Sequence, residues 1–439
     1  MPRTTRNATY STDKIMSDGK TSSLPACGDK HAASALSVDE ARKRIESGVN
    51  PVSGAEKIAL RSALGRILDE DIRSPINVPS HTNSAVDGYA FVHSDLAAAG
   101  TAALRVIGTA WAGRPFNGHV HAGECIRIMT GAAVPAGADT VVMQENVRIE
   151  NNMIRIGTAL KEGENIRAAG EDLAKGQVAL TSGKQIMPPE LGLLASIGLG
   201  EVSVRRRIRV AFFSTGDELR SIGQPITEGQ IYDSNRYTLY GMLTRLAVDI
   251  QDMGVIRDDR DAIKKAFIEA SENADVVITS GGVSVGEADY VKETLEALGE
   301  IGFWQIAMKP GRPLAFGRVR GATFFGLPGN PVSVMVTFYQ FVEPALRRMM
   351  GQTGTHAGMM TYKVRCISSF QKRPGRTEFQ RAVLERDVSG DLIVRATGKQ
   401  GSGILRSMSE ANCFVILPQD SNAVEPGTIV DVQPFYGML

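Results

Sequence analysis

Residues 274–291 read ADVVITSGGVSVGEADYV. Val276, Val277 and Ile278 form a short β-branched run, as expected of a strand buried on both faces of a parallel sheet. The run breaks at Ser280-Gly281-Gly282, with Ser284 and Gly286 close behind. Glu287, Ala288 and Asp289 then open a stretch with helical spacing, VKETLEALG. Strand, glycine turn and helix start together aim free backbone N–H groups at one point, where a phosphate or another oxyanion fits. Glycine allows the close approach and the positive φ that such a turn needs.

Asp289 does not suit a plain anion cradle. A carboxylate about 4 Å from a phosphate costs about 4 kcal/mol per charge pair at an effective dielectric of about 20. A helix N-terminus returns about 0.3–1 kcal/mol, roughly 2 at best. An anion held here therefore calls for a divalent cation between it and the carboxylate, and Mg²⁺ commonly takes one or two carboxylates plus substrate phosphate oxygens. Taken alone, Glu287 and Asp289 read better as partners of the helix dipole. The neighbouring loops decide between the two readings.

From residue 205 onward, strand and helix patterns alternate, the signature of a doubly wound parallel sheet. IRVAFF (208–213) ends in Ser214-Thr215-Gly216-Asp217-Glu218, and Tyr232-Asp-Ser-Asn235 precedes the helical pattern RYTLYGMLTRL. VDIQDMGVI ends at Arg257-Asp258-Asp259 and is followed by AIKKAFIEA. IGFWQIAM leads into Lys309-Pro-Gly-Arg312-Pro313, and GATFFG into Leu327-Pro328-Gly329-Asn330-Pro331. Asn330 is expected to N-cap a helix with Pro331 at its first position, continuing through Ser333 to Arg347 and Arg348 before Gly351. In an open sheet of this class, ligands bind beyond the carboxyl ends of the strands. Glu218, Asp258 or Asp259, and Asp289 fall on three such loops; Lys309, Arg312 and the glycine turns fall on the same edge. Carboxylates alternating with cations on one rim predict a site for a metal-bound phosphorylated ligand.

The flanks read differently. Residues 1–34 are expected to form a disordered leader, and Ser37-Val-Asp-Glu40 a capping box that opens a short helix. IALRSALGRIL (58–68) has helical spacing, with Leu60, Leu64 and Leu68 on one face. Residues 103–180 turn β-rich and carry Thr130 at a strand end, while Asp87 before Gly88 fits ordinary turn chemistry. His119 and His121 alternate along a strand-like segment and read as a surface pair. Beyond residue 358, short strands with glycine-bearing turns predict a small barrel or sandwich without a chemical role, a structural or docking module.

In a chain of 439 residues, a formal net charge of +1 gives no pointer to nucleic acid or an acidic membrane. No apolar stretch reaches membrane-spanning length. Cys27, Cys125, Cys366 and Cys413 lack CxxC spacing, which suits a reducing cytoplasm and argues against a structural zinc site.

From about residue 36 to its C-terminus the sequence resembles the MoeA family, the molybdopterin molybdenumtransferases, also present as the E domain of gephyrin. The resemblance rests on NSAVDGYA, RIMTGAAVPAGADTVV, NIRAAGED, STGDEL, YDSN, TSGGVSVGEADY, MKPGRPLAFG and GLPGNPVS, in that order. It implies an extended linker region (35–75 and 168–207), an inserted β-rich domain (76–167), an α/β molybdopterin-binding domain (208–357) and a C-terminal β barrel (358–439). It also implies a homodimer whose site draws on both subunits, with molybdopterin adenylyltransferase and other proteins of the cofactor pathway as partners. The implied reaction takes adenylated molybdopterin and molybdate and yields molybdenum cofactor with release of AMP, with Mg²⁺, or alternatively Zn²⁺, as the metal.

Carried over by motif, Asp87, Thr130, Glu218, Asp289 and Lys309 take catalytic roles, with Glu218 and Asp289 also as metal ligands. Asp172, Thr215, Gly216, Asp258, Ser280, Gly281, Gly282, Ser284, Gly286, Arg312, Pro328, Gly329, Asn330, Pro331 and Ser333 fall to substrate binding. The sequence departs from the family pattern at Val86, often methionine, at Gln305 and Arg312, both often lysine, and at Cys413, often glycine. Gln305 leaves one fewer cation for molybdate or phosphate. Two other readings carry weight: a molybdopterin adenylyltransferase, which resembles the α/β portion alone, and a scaffold of the same fold without catalysis.

Overall fold

The computed structural model describes residues 35–96, 101–157, 159–282, 290–354 and 360–435. The predicted leader therefore lies outside the described residues, as do Ser284, Gly286, Glu287 and Asp289.

At the centre stands a six-stranded sheet in the order Asp249–Ile256, Arg209–Thr215, Val276–Ser280, Ala322–Leu327, Pro313–Val319, Gly299–Gln305. Val276, Val277 and Ile278 are fully buried in it, as the opening stretch predicts. Each such side chain contributes about 1.5–3 kcal/mol of burial. The first four strands are parallel. The last two run antiparallel to their neighbours, so the sheet is mixed at one edge. The cause is local: only Arg320 and Gly321 separate Val319 from its partner Ala322, and Arg320 takes φ 53°, so the chain reverses before a crossover helix can form. Ser234–Arg245 and the helical run from Pro331 pack on one face of the sheet, and Arg260–Asn273 and Tyr290–Leu298 on the other.

The segment expected as a helix over 58–68 is not one. Ala55–Ala59 is a strand paired antiparallel with Glu201–Arg205, Leu60–Ser62 is a single 3-10 turn, and Gly65 sits at φ 78°. Leu68 is buried but Leu64 is 53% exposed, so the spacing describes no common face. Long-range pairing overrides local propensity here. Ile72–Arg73 pairs likewise with Val178–Leu180, and Asn83–Ser84 with Ile166–Arg167. The outgoing and returning legs of the chain thus run side by side as narrow ribbons. They lead to a second six-stranded sheet, from Thr140–Met143 at one edge to Val147–Glu150 at the other. There the rings of His119 and His121 stack with centroids 4.8 Å apart.

Beyond residue 360, five strands close into a barrel: Thr377–Arg386, Leu392–Ala396, Tyr362–Cys366, Ile429–Pro434 and Cys413–Leu417, the last pairing back to the first. Met308–Lys309 adds to this barrel in parallel with Thr377–Glu378, so chain from the α/β region becomes part of the C-terminal sheet. One apolar core joins the two. It holds Val38 and Ile45 of the first helix, Phe325 of the central sheet, and Phe379 and Phe414 of the barrel. Cys413 is fully buried in the barrel core, where its thiol faces the Ala382 carbonyl at 3.3 Å and burial pushes its pKa up to about 12. Among the described residues, no helix is long and apolar enough to cross a membrane.

Candidate active site

The C-terminal ends of the parallel strands open onto one cleft of about 660 Å³. Strand Arg209–Thr215 delivers Thr215, Gly216 and Glu218; the loop after Asp249–Ile256 delivers Asp258; Val276–Ser280 delivers Gly281 and Gly282. Ala322–Leu327 delivers Pro328, Gly329 and Asn330, with Ser333 one turn into the next helix. Lys309 and Arg312 complete this side. The glycines are required by space. A Cβ at Gly281 (φ 92°) would lie 2.8 Å from the Thr215 carbonyl oxygen, and one at Gly282 (φ 65°) 2.6 Å from Val291 Cγ2.

The acidic corner is electrostatically uneasy. The Asp258 carboxyl is pushed above the ordinary aspartate range, first by partial burial and then by the like charges of Asp217 and Glu218. Its backbone N–H takes a long 3.3 Å hydrogen bond to Asp217 Oδ1. A cation bound between these carboxylates would remove the repulsion. Among the described residues, the cleft walls carry carboxylate and hydroxyl oxygens, the ligand type that hard divalent cations take. Among the described residues, no group of three or more His, Cys, Asp or Glu side chains is arranged to hold a metal by itself. Glu218 and Asp258 alone would leave most of a divalent cation's shell to substrate oxygens and water.

Two expectations change in this cleft, and Lys309 gains a neighbour. The C-terminal barrel is not remote from the chemistry: Arg376, Gln400, Gly401 and Ser402 form its far wall. Sequence gave no signal for them, since isolated residues in loops between short strands carry no motif; the pairing of Met308–Lys309 with Thr377–Glu378 brings them in. Lys309 has an acidic partner. Its Nζ lies 3.5 Å from both carboxylate oxygens of Glu378, which is nearly buried and also accepts from Gln380 Nε2 at 2.9 Å. Finally, Asn330 occupies the cap position but its side chain makes no cap hydrogen bond, and it lines the cleft.

Gln305 accepts a 2.7 Å hydrogen bond from Arg312 Nη2, so the two departures from the family pattern form one pair. Ser280 lies behind the wall, 2% exposed, and Pro331 begins the helix beside it; neither is part of the lining. Asp87 and Thr130 stand together in the inserted β domain, away from this cleft. The backbone N–H and hydroxyl of Thr130 both donate to Asp87 Oδ1, each at 2.7 Å, and hold that carboxyl below its usual range. Asp172 sits near the ribbons, its N–H bonded to the Val78 carbonyl at 3.1 Å.

Three family models cover most of the chain: the MoeA N-terminal region (domain I and II) over residues 36–198, the probable molybdopterin binding domain over 211–348, and the MoeA C-terminal region (domain IV) over 363–435. A molybdopterin molybdenumtransferase of Haemophilus influenzae is 43% identical across 92% of this chain and 100% of its own length. A gephyrin of Dictyostelium discoideum is 35% identical across 90% of this chain and 61% of its own. Among solved structures, a molybdopterin biosynthesis MoeA protein of Pyrococcus horikoshii superposes with a TM-score of 0.80 at 31% identity, covering 91% of this chain and all of its own.

Proposed function

The chain belongs to the MoeA family, and from that premise we propose that it inserts molybdenum into molybdopterin, taking adenylated molybdopterin and molybdate and releasing AMP. The observation that carries this reading is the meeting of Glu218 and Asp258 with Lys309, Arg312 and Arg376 in one cleft at the strand ends. Cleaving a phosphoric anhydride requires charge to be neutralised on its oxygens, and molybdate is itself a dianion. Glu218 and Asp258 would hold Mg²⁺, with Asp289 as a further expected ligand. When bound, the ion supplies Lewis-acid neutralisation of the phosphate oxygens.

The chain's own groups do the rest. The turns at Gly281–Gly282 and Pro328–Asn330 line the cleft and would bring backbone close to the substrate. Arg312 and Arg376 present guanidinium donors that suit oxyanions. Lys309 lines the same cleft with its Nζ 3.5 Å from the Glu378 carboxylate.

Asp87 and Thr130 would complete the site from a second subunit of a homodimer. Supporting this, Ile222, Ile226, Ile231, Tyr232, Tyr237 and Tyr240 are all exposed along residues 222–240, an apolar surface of the kind that proteins cover with a partner. Molybdopterin adenylyltransferase would supply the substrate, in the cytoplasm.

Incubating purified protein with adenylated molybdopterin, molybdate and Mg²⁺ should release AMP and yield cofactor that activates an apo-molybdoenzyme. Accumulation of the adenylate from molybdopterin and ATP would instead identify an adenylyltransferase, and no turnover of either substrate a scaffold.

A further inference from the structure

The motif Tyr232-Asp-Ser-Asn235 has no part in the cleft lining, yet Asn235 touches two of the turns that build it. Asp233 caps the helix Ser234–Arg245, its Oδ1 accepting from Arg236 N at 3.1 Å, which fixes Asn235 in the first helical turn. From there Asn235 Nδ2 donates to Ser280 Oγ at 2.8 Å and to the Gly329 carbonyl at 2.7 Å. The amide orientation follows from chemistry, because a carbonyl only accepts, so nitrogen must face Gly329. Its Oδ1 is buried with no hydrogen-bond partner among the described residues, so the side chain is held by its two donor bonds.

These bonds lie where the sheet stops helping. Strands Val276–Ser280 and Ala322–Leu327 pair up to Ser280 and Leu327, and Gly281 N to the Leu327 carbonyl, at 3.1 Å, is their last ladder bond. Beyond it, no backbone hydrogen bond among the described residues joins the glycine turn to the Pro328–Asn330 turn. Resting on the function proposed above, we propose that Asn235 is a positioning residue that ties these two turns at a fixed spacing and thereby sets the width of the cleft for the adenylated pterin.

Hydrogen exchange and kinetics on the full-length protein test this together. In N235A, and in N235D, where an oxygen replaces the donor facing the Gly329 carbonyl, amide exchange should rise across 279–282 and 326–333. Exchange in the distant barrel strand Thr377–Arg386 should stay at the parent level. KM for adenylated molybdopterin should rise about tenfold, as expected of a small misplacement in a bound substrate, with a smaller change for molybdate. S280A, which cuts one of the two bonds, should show a lesser effect and add nothing on top of N235A; it also serves if N235A proves too unstable to assay. Unchanged exchange at both turns, or additive effects of S280A and N235A, would overturn the tie. Exchange that responds in a protein without cofactor-forming activity would leave the tie standing and remove the assigned function instead.

Discussion

Thr130 spends its backbone N–H and its hydroxyl on one oxygen of Asp87, which keeps that carboxylate ionised and oriented. T130A removes the hydroxyl and the γ-methyl but leaves the backbone N–H bond, so the Asp87 pKa should rise in a carboxylate NMR titration, while T130S, which lacks only the methyl, keeps the parent value. Turnover of T130A should fall about tenfold, within the range of a lost positioning hydrogen bond, and T130S should restore it. Asp258 works in the opposite sense. Its folded pKa is raised, so the folded chain binds that proton more tightly than the unfolded chain, and ionising Asp258 costs stability as pH climbs through the acid range. D258N should therefore leave the metal-free protein as stable as the parent or more so, while weakening Mg²⁺ binding on the order of tenfold. Calorimetry with and without Mg²⁺ reads both effects, and a lower metal-free midpoint in D258N would contradict them.

Among elements, the two-residue strand Met308–Lys309 has an effect out of proportion to its length. By pairing with Thr377–Glu378 it sets Lys309 beside Glu378 and turns Arg376 into the cleft. Arg376 is exposed and has no hydrogen-bond or ion-pair partner among the described residues, so R376A should leave the melting temperature within about 2 °C of the parent. KM for molybdate should nevertheless rise about tenfold, the loss of one charged contact to a dianion. A barrel that served only for docking would leave that KM unchanged. The helical run from Pro331 is equally informative. Its middle, Phe338–Val342, is wound as a π-helix, and buried Gln340 there donates to Gln433 Oε1 of the barrel at 2.8 Å. A polar bond inside the shared core fixes how the two regions meet.

At the scale of the whole molecule, the central sheet is tied to the returning ribbon by charge. Asp275, at the entry to strand Val276–Ser280, receives 2.7 and 3.0 Å bonds from Arg206 and a 3.1 Å bond from Arg209. Burial pushes its carboxyl up, but these bonds outweigh burial and hold it at about 2. Because the folded pKa is depressed, the stabilisation is complete above the ordinary aspartate range and lost as pH falls towards about 2. Its size is about 1–2 kcal/mol after solvent screening of the partly exposed arginines. D275N should lower the urea midpoint at pH 7 accordingly, and the gap from the parent should close as the pH approaches 2. A gap independent of pH would show that the charge is not the source.

The alternation of β-branched runs with helical spacing, and the glycines that end those runs, fixed the central sheet and one rim of the cleft from sequence alone. Both are local: a buried strand needs its own apolar residues, and a close turn needs its own glycine, as at Gly281 and Gly282. What tertiary structure decided is everything that depends on distant partners. Ala55–Ala59 is a strand only because Glu201–Arg205 lies beside it. Arg376 and Ser402 face the cleft only because the barrel takes in Met308–Lys309, and Asn235 meets Ser280 and Gly329 only across separate elements. Periodicity records which face of an element is apolar, but not which residue, a hundred positions away, will come to rest against it.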